Sequence, residues 1–235
     1  LIINVVRGKD DYLAVILNVI KLYVERWDFF LELLLQHISL SLIAIFYITI
    51  IGLSMGIYMT RNKIFATVVL TVTNFLYTIP SIALFGFLVI ITGIGNKSAI
   101  IALVVYGVLP IIRNTYVGIN EVDDQVVEAA VGMGSTEIQL LTKVQLPLAL
   151  PFIFAGFRTM VIMTIALGGI ASFIGAGGLG VAIWRGITTN FPEMTIAGSL
   201  LVATLAILTD LIMELVENKM KFRILGMVKV SKLDS

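Results

Sequence analysis

The run Ile38-Ser-Leu-Ser-Leu-Ile-Ala-Ile-Phe-Tyr-Ile-Thr-Ile-Ile-Gly-Leu-Ser-Met-Gly-Ile-Tyr-Met59 holds no charged residue and stops at Arg61 and Lys63. At the helical rise it is long enough to cross a bilayer hydrocarbon core of about 30 Å. Read outward from it, the rest of the chain repeats the pattern. Ile64–Asn96 is uncharged but too long for one straight crossing, and Pro80 inside it removes a backbone donor, so it reads as a second span broken at Pro80. Ser98–Gly118 makes a third span, Val144–Phe173 a fourth carrying Arg158, and Met194–Leu215 a fifth carrying Asp210 and Glu214. Tyr12–Leu35 carries Lys21, Glu25, Arg26, Asp28 and Glu32, which suits an amphipathic helix lying at the membrane surface.

Composition agrees with this reading. Of 235 residues, 59% are hydrophobic and 13% charged, where soluble domains carry about 25% charge. The expected fold is an all-α polytopic membrane protein: residues 1–35 an N-terminal interfacial helix, 36–216 the membrane domain, and 217–235 a basic tail. The absence of cysteine excludes disulfides and thiolate metal sites, and His37 is the single histidine. A protein metal site is therefore not expected, and His37, at the head of the first span, reads as an interfacial residue. The net charge of +1 gives no reason to expect nucleic acid as a partner. Around Arg7–Asp11 the charges argue against a cleavable signal.

Lys and Arg favour the cytoplasmic side of a membrane. Arg61, Lys63, Arg113, Lys143, Lys219, Lys221, Arg223, Lys229 and Lys232 fall on one face of a five-span arrangement, against Lys97 and Arg185 between spans on the other. The acidic loop at about 119–147 and the C-terminus are thus expected in the cytoplasm; Arg7, Lys9, Lys21 and Arg26 count against that orientation. A charge buried in lipid is costly unless paired, so Arg158 is expected to pair with Asp210 or Glu214 and hold the last two spans together.

The 119–147 loop reads Glu128-Ala129-Ala130, then Gly134, then Val144-Gln145-Leu146-Pro147. Two alanines beside Glu128 make a slim helical face suited to a partner's groove, and Gly134 can turn the chain between two short helices. Pro147 and Pro151 punctuate the start of the fourth span. This pattern resembles the EAA loop of ABC importer permeases, with Val where Ile is usual. Thr78-Ile-Pro-Ser81, Leu109-Pro-Ile-Ile-Arg-Asn-Thr-Tyr116, Ala155-Gly-Phe-Arg-Thr159 and Ile174-Gly-Ala-Gly-Gly-Leu-Gly180 resemble the glycine betaine, carnitine and choline branch of that family, from about His37 to Ile187. The glycine-rich run is shared with methionine permeases.

The resemblance implies a type I importer permease core in a bacterial cell membrane, translocating a quaternary amine by alternating access. It also implies that Glu128, Ala129, Ala130, Gly134, Leu146 and Pro147 couple the chain to a separate cytoplasmic ATPase holding ATP and Mg²⁺. The remaining implied partners are a second permease subunit, identical or related, a second ATPase and an extracytoplasmic binding protein. Consistent with a transport subunit that is not itself an enzyme, the chain lacks a G-x-x-x-x-G-K-[ST] phosphate loop and any nucleophile and base constellation. No cofactor is expected on this chain. No soluble domain is expected after the fifth span, so a separate protein is expected to capture the substrate.

Gly175, Gly177 and Gly180 satisfy G-x-G-x-x-G, but between two membrane spans the βαβ context of a dinucleotide fold is missing. With Gly178 they read either as a flexible turn or as a closely packed outer gate. Phe75, Tyr77, Phe85, Phe87 and Tyr106 are candidates for a path lined by cation-π contact, or else for ordinary core and lipid-facing aromatics. A permease for methionine or another small solute and a membrane scaffold that moves nothing are the alternative readings.

Overall fold

The computed structural model describes the backbone of residues 2–231 and the side chains of residues 14–220. Of the basic residues that set the expected orientation, Arg7, Lys9, Lys221, Arg223, Lys229 and Lys232 lie outside the described side chains. Among the described residues every regular element is helical: α1 (Ile2–Glu25), α2 (Trp27–Met59), α3 (Lys63–Thr78), α4 (Ser81–Thr92), α5 (Asn96–Asn120), α6 (Asp124–Gly132), α7 (Glu137–Leu140), α8 (Leu146–Ala171), α9 (Gly180–Thr188) and α10 (Pro192–Ser231). A π-turn, Leu141–Gln145, precedes α8, and a 3₁₀ turn, Ser172–Ile174, follows it. Four helical stretches are long and apolar enough to cross a membrane, and five if the broken pair α3 and α4 counts as one span. The all-α, five-span expectation holds.

Three boundaries differ from the sequence reading. The first long helix begins at Trp27, not at Ile38. Charge counting concealed its period: Phe30, Leu33, His37, Leu40, Ala44 and Ile48 are all buried and recur at helical spacing, while Asp28 and Glu32 sit on the exposed face. Asp28 also lies in the first turn, where the helix dipole favours a carboxylate. The last helix runs past Leu215, where the fifth span was read to end, and continues as α10 to Ser231, so the stretch read as a basic tail is helical through residue 231. Finally, α9 stands between the glycine run and α10, in a stretch to which the sequence assigned no element.

The break at Pro80 has a local cause. Ile79, the residue before proline, is extended at φ −71°, ψ 127°, since proline's ring disfavours the helical region for its predecessor. Its carbonyl accepts the Tyr106 hydroxyl. At the other end of α3, Asn62 caps the helix by accepting from the Phe65 N–H at 3.0 Å.

Contacts divide the chain into two units. The first comprises Leu1–Ile43, Ser81–Leu103 and Ile165–Ile207. Its core joins Val19 and Leu22 of α1 with Phe30 and Leu33 of α2, Leu179 and Ala182 around α9, and Met194 and Ala197 of α10. Tyr23 adds a hydrogen bond from its hydroxyl to the Ala197 carbonyl at 2.7 Å.

The second unit comprises Ala44–Pro80, Val104–Thr164 and Leu208–Ser235. Here α5 is approached closely from two sides. A Cβ on Gly56 of α2 would stand 2.6 Å from the Thr115 Cβ, and one on Gly156 of α8 would stand 2.9 Å from the Pro110 carbonyl. Helices that gain nothing from leaving lipid associate through such backbone approach. Gly52 and Gly56 form a G-x-x-x-G pair that the sequence displayed and the sequence reading passed over.

Candidate functional site

The 119–147 segment folds as two short helices whose termini are satisfied by side chains and by one glycine. Asp123 starts α6 by accepting from the Gln125 N–H at 2.9 Å. The helix ends in a pair of reversed bonds: Gly134 N–H to the Val131 carbonyl at 2.9 Å and Ser135 N–H to the Ala130 carbonyl at 3.1 Å. That is a Schellman closure, and it needs a left-handed residue at the position of Gly134, whose φ is +84°. Thr136 then caps α7 reciprocally: its Oγ1 accepts from Gln139 N–H at 3.3 Å and its own N–H donates to Gln139 Oε1 at 3.0 Å. This Thr-x-x-Gln capping box was legible in the sequence and was not read.

The exposure of these helices is uneven. Ala130 is buried, while Glu128 and Ala129 are exposed. Around them Val126, Val131, Met133 and Ile138 also lie open, Met133 at 82% exposure. Leu146 is half-buried and packs on a cluster of Ile119, Ala149 and Ile153, which seats the loop on the membrane helices. Pro147 is exposed and is the second residue of α8. Its missing N–H leaves the Lys143 carbonyl without the usual helical donor, and the chain widens there to i→i+5 bonding, Leu146 N–H reaching the Leu141 carbonyl. Arg61, in the turn after α2, donates to Glu137 Oε2 at 3.1 Å across a cleft of about 180 Å³. Both side chains are largely exposed, so this ion pair contributes little to stability.

Arg158 of α8 meets α10 through three carboxylates. Its Nε donates to Asp210 Oδ1 at 2.6 Å, Nη2 to Glu214 Oε2 at 3.2 Å and Nη1 to Glu217 Oε2 at 3.0 Å. The three acids recur four and then three residues apart, so one face of α10 presents them all. The sequence reading offered Asp210 or Glu214; the structure brings both, and it adds Glu217, which had been assigned to the tail. Glu217 is 8% exposed.

His37 is fully buried within the protein, and its Nε2 lies 3.0 Å from the Ile165 carbonyl. A carbonyl only accepts, so Nε2 carries the proton. With α2 starting at Trp27, His37 lies well inside the helix and not at its head.

Of the five aromatics, Phe85 has no exposed area, Phe75 and Phe87 are widely exposed, and Tyr77 and Tyr106 meet edge to face with centroids 5.7 Å apart. In the glycine run, Gly175, Gly177 and Gly178 have φ of +80°, +74° and +81°. Gly180 instead begins α9 and lies against the Gly169 carbonyl, where no side chain fits.

A protein family described as binding-protein-dependent transport system inner membrane component matches residues 48–222. The chain is 42% identical over 165 residues to the ergothioneine transport permease/ergothioneine binding protein EgtU of Helicobacter pylori; the match takes in 70% of this chain and 30% of that protein. It is 40% identical over 197 residues to the glycine betaine/carnitine/choline transport system permease protein OpuCB of Bacillus subtilis, covering 83% of this chain and 91% of the relative. Among solved structures, an inward-facing form of the methionine ABC transporter MetNI superposes with a TM-score of 0.69 at 25% identity, covering 79% of this chain and 93% of that one.

Proposed function

Since the chain belongs to the family of binding-protein-dependent transport system inner membrane components and is a multi-pass membrane transport subunit, we propose that it carries a trimethylammonium compound inward. Choline, carnitine and glycine betaine are the leading candidates. The observation that supports this reading most directly is the extended likeness to a relative named for those three solutes. Ergothioneine, named for the other relative, carries the same trimethylammonium group and is a second candidate within one chemical class.

In this reading the Glu128–Pro147 segment and the C-terminus lie in the cytoplasm. The exposed Val131, Met133 and Ile138 together with Glu128 form the surface that a cytoplasmic ATPase grips. ATP and Mg²⁺ belong to that partner. A second permease subunit, identical or related, completes the path, and a binding protein delivers solute from outside. ATPase closure favours one conformation of the permease pair and hydrolysis returns the other; the solute is moved because the two states bind it differently.

The test is uptake into vesicles holding the complete transporter with its ATPase and binding protein. Labelled choline should accumulate with ATP, and unlabelled carnitine, glycine betaine or ergothioneine should compete while methionine does not. Competition by methionine alone would overturn the choice of substrate. ATP hydrolysis that does not rise with loaded binding protein would overturn the transport role and favour a scaffold.

A further inference from the structure

The glycine turn after α8 has backbone bonds of its own, from the Gly175 N–H to the Ser172 carbonyl and from the Ala176 N–H to the Ala171 carbonyl, and three further ties. The Gly95 N–H donates to the Ile174 carbonyl at 2.9 Å, and the Ser172 hydroxyl donates to the Gly177 carbonyl at 2.7 Å. The third tie comes from α2, where the Gln36 carboxamide oxygen accepts the Gly178 N–H at 3.1 Å. Its neighbour His37 reaches the last part of α8 through the Ile165 carbonyl.

These two adjacent residues hold in different ways. The His37 ring occupies the space left by two glycines: a Cβ on Gly168 would stand 3.1 Å from Nε2, and one on Gly178 would stand 3.1 Å from Nδ1. It cannot swing away without emptying a packed site. Gln36 is exposed, its Nε2 donates to Glu32 Oε1 at 3.1 Å, and it lines an open cleft of about 540 Å³ together with Ser39, Asn96, Ala176 and Gly177. Gly178 itself is buried behind Gln36, so the latch lets go at small net cost only as water follows the departing carboxamide from that cleft onto the Gly178 N–H.

We propose that Gln36 is the releasable latch of the glycine turn and His37 its fixed pivot, so that the turn parts from α2 at Gly178 by exchanging one side-chain hydrogen bond for water, while its ties to Gly95 and Ser172 and α2 itself stay in place. Gln36 is then a positioning residue for transport, acting through the turn. The use of the latch rests on the transport reading; its existence does not.

The chain has no cysteine, so Ala176→Cys introduces its sole thiol at a position 6% exposed and beside the cleft. The rate at which a charged maleimide labels this thiol, read on the assembled transporter in membranes so that unfolded chain does not count, reports opening of the turn. Gln36→Met, similar in length but without the acceptor, should raise that rate roughly threefold to tenfold, the worth of one such hydrogen bond. Gln36→Glu made together with Glu32→Gln keeps the acceptor and restores its hydrogen bond with residue 32 in the reverse sense, without setting two carboxylates a helical turn apart, and should stay within about twofold of the parent. No change with Met, or an equal rise with Met and Glu, overturns the latch. Uptake by the parent is measured in the same vesicles. A difference in labelling without any uptake removes the transport reading and leaves the latch, while uptake without a difference in labelling removes the latch alone.

Discussion

Arg158 meets three carboxylates of α10 through its three guanidinium nitrogens, a use of the fork that a lysine could not reproduce. Arg158→Leu would leave Asp210 and Glu214 facing an apolar side chain in a membrane helix, where unpaired charge is costly. The expected outcome is a several-fold loss of folded protein extracted from membranes, with the substrate preference of the remaining protein unchanged; Arg158→Lys should recover part of the yield. Normal yield with altered preference would show that the guanidinium contacts solute instead. Asp210 and Glu214 were legible from the sequence as partners because both lay inside an apolar stretch. Glu217 was not, because it adjoins Lys219 and Lys221 and reads as the first residue of a polar tail.

Gly134 decides whether α6 and α7 exist as a pair. Its φ of +84° closes α6 through the Ala130 and Val131 carbonyls and delivers Thr136 to cap α7. A β-branched side chain there would be strained by about 1–3 kcal/mol, comparable to the modest energy holding two short exposed helices. Gly134→Val should therefore reduce uptake at least about tenfold and reduce the ATPase recovered with the purified permease. Gly134→Asn, which tolerates the left-handed region, should retain most of both. If Val and Asn behave alike, the turn geometry is not what matters. The existence of this helix pair was readable from the glycine and the small residues ahead of it. The exposure of Val131, Met133 and Ile138 was not readable, since which side of a short helix faces the protein depends on what it packs against.

For the chain as a whole, the orientation of the loop is the assumption on which transport rests. A charged maleimide that does not cross membranes should label Met133→Cys, the only thiol then in this chain and at a position 82% exposed, in inverted vesicles stripped of peripheral proteins. It should leave the thiol untouched in intact cells. Labelling in intact cells would place the loop outside and end the coupling proposal.

The sequence by itself determined that this chain crosses a membrane as helices, where it breaks at Pro80, and that a glycine-closed loop interrupts it, because each of these follows from uncharged length or from the backbone of one residue. Only the tertiary structure decided that His37 is buried, that Glu217 completes the Arg158 cluster and that Gln36 holds the glycine turn. Those three depend on the partner each side chain finds across the fold, and a partner more than a hundred residues away, as Gly178 is from Gln36, leaves no trace in local pattern or charge.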